Sequence, residues 1–283
     1  MVLLRGMTYN VKFPSDDPPN AWPGRRSLMA GLLRRTRPHV LATQEGHYGQ
    51  LREIMSDIGP GYDWIGQGRE GGGRGEFCAI AYDTALLEPL DFDHFWLSAT
   101  PDRVGSRTWW WGNRSVRMAT WVRFAMRDPD TGARQELLWL NTHLDHESAR
   151  ARRLGAWLIA RRLGGFPEDL PIVVSGDFNC PATDQSGPYR VLTRSAGLAD
   201  SWTVTERPAP DVGTYGGWSA PQAGGTRIDW VLVRGPIAVE SAGICDHHRA
   251  AEWPSDHVPV EVSLRLEAPA DRGAPSLPRT PQP

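Results

Sequence analysis

The sequence predicts an α/β protein with layered sheets flanked by helices, and three observations carry that expectation. Runs of strand length recur with β-branched or aromatic residues and turn-forming flanks. Three segments repeat apolar residues at helical spacing, and the runs around residues 77 to 124 read as neighbours joined like hairpins. In order, Leu3 to Tyr9 is an apolar strand, and Arg25 to Thr36 follows as a helix with Leu28, Leu32 and Leu33 on one face. Val40 to Thr43 is the next strand, and Gly49 to Ile58 is a helix repeating Leu51, Ile54 and Ile58. Strands are then expected at Phe77 to Tyr82, Ala119 to Phe124 and Glu136 to Leu140. Ser148 to Leu163 is a helix presenting Leu154, Trp157, Leu158 and Ile159, and Pro171 to Ser175, Ile228 to Val233 and Val258 to Leu264 complete the strands.

Polar clusters sit where these apolar runs end. They read Thr8-Tyr9-Asn10, Gln44-Glu45, Thr142-His143-Leu144-Asp145-His146, Gly176-Asp177-Phe178-Asn179, Ile228-Asp229 and Ser255-Asp256-His257. Because they extend from one end of the 283-residue chain to the other, one site built from all of them requires one domain, expected over residues 1–266. Residues 267–283, rich in Pro, Arg, Gly and Ala, carry too little apolar surface to repay ordering and are expected to be disordered.

The net charge of −2 and pI near 6.5 give no global basic footprint, which weakens a nuclease reading without removing it. Lys12 is the only lysine, a bias that codon composition explains more simply than phosphate binding does. Cys78, Cys180 and Cys245 are odd in number, widely spaced and without a C-x-x-C pair, so a reducing compartment is expected. The N-terminus offers no signal-peptide core and no run is apolar enough to span a membrane, so the sequence reads as cytoplasmic.

Carboxylates, carboxamides and imidazoles at strand ends suit an oxygen-ligated divalent metal and an acid/base pair. Asp177 and Asn179 fall on one side of an extended chain and can hold and polarise a water. His143 and His257 have separate acidic candidates, Glu76 and Asp229, to fix their tautomers, and either could be base or acid. Glu45 is a natural hard-metal ligand. The loop from Gly66 to Gly75 is glycine-rich and lacks P-loop order; it is either a surface loop or a backbone that approaches a phosphate, with Arg74 as a substrate contact. Asp145 adds a polar group beside His143. Arg150 is either a phosphate contact or the ion-pair partner of Glu147 or Asp145.

These ordered clusters resemble the endonuclease/exonuclease/phosphatase superfamily through T-x-N, Q-E, T-H-x-D, G-D-F-N, I-D and S-D-H, between residue 3 and about residue 264. The resemblance implies a DNase I-like four-layer α/β sandwich, two packed mixed sheets flanked by helices, with one Mg²⁺-dependent site in which Mn²⁺ can substitute. It implies metal ligation by Asn10, Glu45 and Asp256, water and phosphate positioning by Asp177 and Asn179, and acid/base pairs of His257 with Asp229 and His143 with Glu76. The T-H-L-D-H stretch is similar to a bacterial subgroup usually assigned only at the level of the superfamily, so the substrate does not carry over. Tyr215, after Thr214, could stack on or hydrogen-bond the substrate, or simply pack. In Trp109-Trp110-Trp111-Gly112-Asn113-Arg114, at least one aromatic must face outward. Trp110 with Arg114 and Arg117 could rim the pocket and pin a ring and a phosphate, or the tryptophans could pack between sheets. The first reading is a Mg²⁺-dependent phosphoesterase acting on a small or medium-sized phosphorylated molecule, with His257 as the first choice of base and His143 of acid or phosphate ligand, roles the two could exchange. A DNA or RNA nuclease is the alternative, and a silent binding module on the same fold is a third. Oligomeric state is not legible.

Overall fold

The computed structural model describes residues 3–128, 131–205 and 210–267, so the expected tail beyond Glu267 lies outside the described residues. In chain order the strands are β1 (Leu3–Asn10), β2 (Val40–Gln44), β3 (Tyr62–Ile65), β4 (Ala79–Asp83), β5 (Leu87–Trp96) and β6 (Met118–Arg127). They continue with β7 (Arg134–His143), β8 (Ile172–Asp177), β9 (Ala199–Asp200), β10 (Asp229–Arg234), β11 (Ile237–Ile244) and β12 (Val260–Leu266). The longer helices are α1 (Trp22–Thr36), α2 (Tyr48–Ile58) and α3 (Ala149–Leu163). One six-stranded sheet runs β11-β12-β1-β2-β4-β3 and the other β5-β6-β7-β8-β10-β9. Each is mixed: β1 pairs parallel to β2 across α1, and β7 parallel to β8 across α3, while the other pairings are antiparallel. This is the expected sandwich of two sheets with helices outside.

The layers follow from strand alternation. On β7, Leu137 and Trp139 point into the core between the sheets with Leu4, Val40, Val173 and Val262, while Leu138 and Leu140 point outward to Ile159 and Leu163 of α3. On the other sheet Met7, Tyr9 and Leu41 face outward to Met29, Leu32 and Leu33 of α1 and Leu51 and Ile54 of α2. Burial on both faces explains why β7 and β8 read as continuous apolar runs. The buried Trp139 ring occupies the space beside Gly6, where a Cβ would lie 2.1 Å from the indole, and its N–H donates to Ser175 Oγ at 2.8 Å.

Two expectations shift. The first helix begins at Trp22, ahead of Arg25, because Pro23 fits the first turn, where its missing N–H costs nothing. The runs between residues 77 and 124 are not one hairpin series: β4 belongs to the first sheet, and the chain crosses directly to β5 in the second.

His39 precedes β2, and its Nδ1 accepts the backbone N–H of Arg5 at 3.1 Å, a bond that requires the unprotonated nitrogen. Burial, aided by the Arg5 guanidinium, lowers its pKa to about 4. Because the folded value lies below the unfolded one, near 6.5, His39 stabilises the fold fully above that value and loses its contribution as pH falls towards 4. Roughly 1 to 2 kcal/mol should be lost over that interval, allowing for partial exposure. Comparing Tm at pH 7.5 and 5.0 in wild type and His39→Gln checks this, the variant showing the flatter dependence.

Candidate active site

The polar clusters converge because both sheets present the relevant strand ends to one edge. His143, Asp177 and Asp229 stand in register across β7, β8 and β10. Asn10 closes β1, Glu45 follows β2, and Asp256-His257 leads into β12. The sheets are tied just below: Gln44 Nε2 donates to Asn141 Oδ1 at 2.7 Å, and Asn141 Nδ2 donates to the carbonyls of Thr43 at 2.8 Å and Ala79 at 2.9 Å. Above this seam opens a cleft of about 320 Å³. It is lined by Lys12, Glu45, Asp177, Asn179, Asp256, both histidines and, on its walls, Phe13, Arg69, Glu76, Ser115, Arg117, His146, Tyr215 and Ile228.

Asn10 ties the two halves together. Its amide nitrogen donates to Glu45 Oε1 at 2.9 Å and Asp177 Oδ2 at 3.0 Å, while its oxygen accepts the Lys12 N–H at 3.0 Å. Asn10, expected as a metal ligand, thus stands between the Glu45 and Asp177 carboxylates, bonded to both. His257 Nδ1 lies 2.9 Å from Asp229 Oδ2, and its Nε2 faces Asp177 Oδ2 at 3.7 Å. His143 Nε2 lies 2.9 Å from the Asn179 amide nitrogen and 3.5 Å from Asp177 Oδ2.

These surroundings push the two imidazoles apart. Burial, the Arg117 guanidinium and His257 hold His143 well below its ordinary value, so it is neutral. Burial opposes charge on His257 too, but Asp229 and Asp177 outweigh it and raise the imidazole above its ordinary value. Burial and the neighbouring Asp229 charge raise Asp177. Burial would raise Glu45, yet Lys12, the Asn10 amide and His257 overcome it and hold this carboxyl low. A row of acids thus contains one stable anion, one carboxyl poised to take a proton and one imidazole that keeps its proton.

Three non-glycine residues of the site, Lys12 (φ 55°), Glu45 (φ 63°) and Asn179 (φ 50°), adopt the left-handed conformation, which costs a side-chain-bearing residue about 1 to 2 kcal/mol. For Lys12 the compensation is visible. Buried Arg25 of α1 donates to the carbonyls of Val11 at 2.6 Å, Lys12 at 2.7 Å, Phe13 at 3.1 Å and Pro254 at 2.9 Å, pinning the loop after β1 to the loop before β12.

Several expected contacts lie elsewhere. Glu76 lines the cleft, but its carboxylate is engaged by Arg69 at 2.6 Å, so the expected pair with His143 does not form. Arg74 is exposed, donates to the Glu70 carbonyl at 3.1 Å and is not on the cleft. The glycine loop is a hairpin in which Arg69 stands opposite Glu76 and carries the arginine that faces the site. Arg114 is exposed beside Glu147 at 3.5 Å, also off the cleft. Asp145 is buried, is not part of the cleft lining, and its Oδ1 accepts the N–H groups of Glu147 and Ser148 at the start of α3. Trp109–Trp111 forms a single helical turn with Trp109 77% and Trp110 50% exposed, so the outward-facing aromatic exists, but Trp110 does not line the cleft. Arg117 and Tyr215 do. Arg117 is buried beside His146 at 2.8 Å, and the Tyr215 ring stands edge-on to His257 at 5.0 Å. Asp256 faces Lys12 Nζ at 3.2 Å. His146, read from sequence only as a member of the Thr142–His146 cluster, also lines the cleft, whereas Lys12, Arg69 and Phe13 were not legible as site residues; only the uniqueness of Lys12 marked it.

Glu45, His143 and Asp177 each bring a donor atom within 4.8 Å of the others, as do Asp177, Asp229 and His257, spacings that a divalent ion can span. Asp256 is in neither group. The model of the Endonuclease/Exonuclease/phosphatase family matches residues 7–257. The chain belongs to that family. Its solved relatives include the endonuclease/exonuclease/phosphatase from Bacteroides vulgatus, 30% identical with a TM-score of 0.85 over 94% of this chain and 100% of the other. The mannosyl-6-phosphatase of Bacteroides thetaiotaomicron is 30% identical with a TM-score of 0.84 over 93% of this chain and 100% of that one. Protein angel of Drosophila melanogaster is 25% identical over 196 residues, 66% of this chain but only 51% of its own length, so the match spans about half of that relative. This endonuclease/exonuclease/phosphatase member thus has the DNase I-like fold and is a hydrolase acting on phosphate esters. No described helix is long and apolar enough to cross a membrane.

Proposed function

We propose that the chain is a divalent-cation-dependent phosphoesterase that removes a phosphate from a small molecule, with a sugar phosphate as the first candidate substrate. The observation that carries this reading is the size and charge of the cleft. About 320 Å³ suits a compact ligand, and Lys12, Arg69 and Arg117 set positive charge around Glu45 and Asp177. The similarity to a mannosyl-6-phosphatase over nearly the whole chain supports the same substrate class.

Glu45, the carboxylate held low, would hold Mg²⁺ or Mn²⁺, hard cations suited to carboxylate oxygen. When bound, the ion supplies charge to neutralise the phosphoryl oxygens. Asn179 and Asp177 orient the attacking water, and Asp177, raised by burial, takes its proton. His257, kept protonated by Asp229, donates to the phosphoryl or leaving oxygen. His143, neutral and bonded to Asn179, fixes the water-holding amide rather than serving as the acid. Of the exchangeable base and acid roles, this gives the donor to His257 and the base to a carboxylate. Residues 1–266 act as one catalytic unit.

One observation favours the nuclease alternative. A second groove of about 760 Å³ is lined by Arg150, Arg152, Arg153 and Arg190 and includes Cys180, the residue after Asn179. Neither expected acidic partner holds Arg150, because Glu147 meets Arg114 and Asp145 caps backbone. A panel of hexose 6-phosphates, an aryl phosphate, a bis-aryl phosphodiester and plasmid DNA, assayed with Mg²⁺ or Mn²⁺, separates the readings. Monoester turnover with shallow salt dependence is expected. Plasmid nicking with a steep salt slope and no monoester turnover would overturn the small-molecule reading.

A further inference from the structure

Lys12 is placed by more structure than a surface lysine receives. Its N–H donates to Asn10 Oδ1 at 3.0 Å, and its carbonyl accepts from Arg25 Nη2 at 2.7 Å and Gln50 Nε2 at 2.9 Å. Its backbone is held at φ 55°, in the left-handed region. The result aims the only lysine of the chain between two carboxylates that come from opposite ends of the sequence: Nζ lies 3.2 Å from Asp256 Oδ2 and 3.5 Å from Glu45 Oε2. Asp256 is itself buried, and Ser255 Oγ, which donates to the Asn10 carbonyl at 2.7 Å, holds the preceding residue in place.

We infer that Lys12 is a tethered cation occupying the Asp256 end of the carboxylate cluster, so that the protein takes a single divalent ion, at the Glu45 end. This rests on the metal-dependent reading above. Two buried carboxylates flanking a phosphate site need compensating positive charge, which either a second metal ion or a fixed ammonium can supply. Here the ammonium is supplied by the chain. Asp256 lies outside both groups of residues whose donor atoms could surround an ion. A covalently attached ammonium cannot be chelated away, and at 3.2 Å from Asp256 it repels a second dication from that carboxylate. Two cation positions thus become one exchangeable site and one permanent charge. The Lys12 ammonium, lining the cleft beside Glu45, also gives the substrate phosphate a contact that does not depend on metal occupancy.

The test is a count of bound ions, independent of turnover. Mn²⁺ binding to the purified full chain is titrated, with free Mn²⁺ read by electron paramagnetic resonance, for wild type, Lys12→Met and Lys12→Gln. The far-ultraviolet circular dichroism of each must match wild type, and either variant that folds suffices. One Mn²⁺ per chain is expected for wild type and two for the variants, the second being lost again on adding Asp256→Asn to the variant. Two ions in wild type, or one ion in every variant, overturns the inference while leaving the metal-dependent reading intact. No ion bound by wild type sinks that reading and this inference together.

Discussion

Asp177→Asn should lower kcat by about three orders of magnitude with the fold unchanged. The carboxamide keeps the shape and can still accept the Asn179 N–H that Asp177 Oδ1 now receives at 2.9 Å, but it cannot take a proton from water. Burial and the Asp229 charge raise the Asp177 carboxyl, which suits the role of base proposed above, and that capacity disappears with the acid group. Removing His257 should cost less on a substrate with a good leaving group, such as an aryl phosphate, than on an alkyl phosphate, since a donor to the leaving oxygen matters less when that oxygen leaves readily. Measuring kcat for both substrates with both variants tests the division of labour. An Asp177→Asn enzyme within tenfold of wild type, or an equal loss for His257→Ala on the two substrates, removes the assigned roles.

Glu45→Gln should abolish activation by Mg²⁺ at concentrations that saturate wild type, and EDTA should silence wild type reversibly. The backbone of Glu45 is held at φ 63° after β2 and its carboxylate accepts the Asn10 amide, so the substitution keeps size and position while removing the anion. A shift of the half-activating Mg²⁺ concentration by two orders of magnitude or more is expected on that basis. Activity that survives EDTA, or a Glu45→Gln enzyme with an unaltered Mg²⁺ requirement, contradicts the anchor.

The strands found from sequence and those missed divide along one physical line. The missed strands, β3, β5, β9 and β11, are the edges of the two sheets, and every interior strand was found. Interior strands are covered on both faces and read as apolar runs, as Leu137 to Leu140 does. Edge strands need no such pattern. β5 exposes most of its central residues and shifts register between Pro89 and Asp91, and β11 is bulged between Val239 and Ser241. The same division runs through the site. Polar residues that end interior strands, from Asn10 to His257, were legible because they interrupt apolar runs. Contacts supplied by loops were not: whether Arg69 or Arg74 reaches the cleft is decided by which one stands opposite Glu76 across a glycine hairpin, and composition carries no record of that. Pairing was the weakest inference, since Glu76 has the right location for His143 and the wrong partner.

The pairing of β1 with β12 bears on how the protein is made. The first strand of the described chain lies between β2 and β12, and β12 ends at Leu266, so the first sheet remains open along one side of β1 until nearly all of the described sequence has been synthesised. During translation that open edge offers unpaired N–H and C=O groups beside Leu4 and Met7, a surface prone to wrong pairing with other nascent chains. His257 arrives with the same late segment. A chain that ends short of it keeps that edge open and lacks the proton donor proposed above, so on that reading hydrolysis requires the segment that leads into β12, the last described strand.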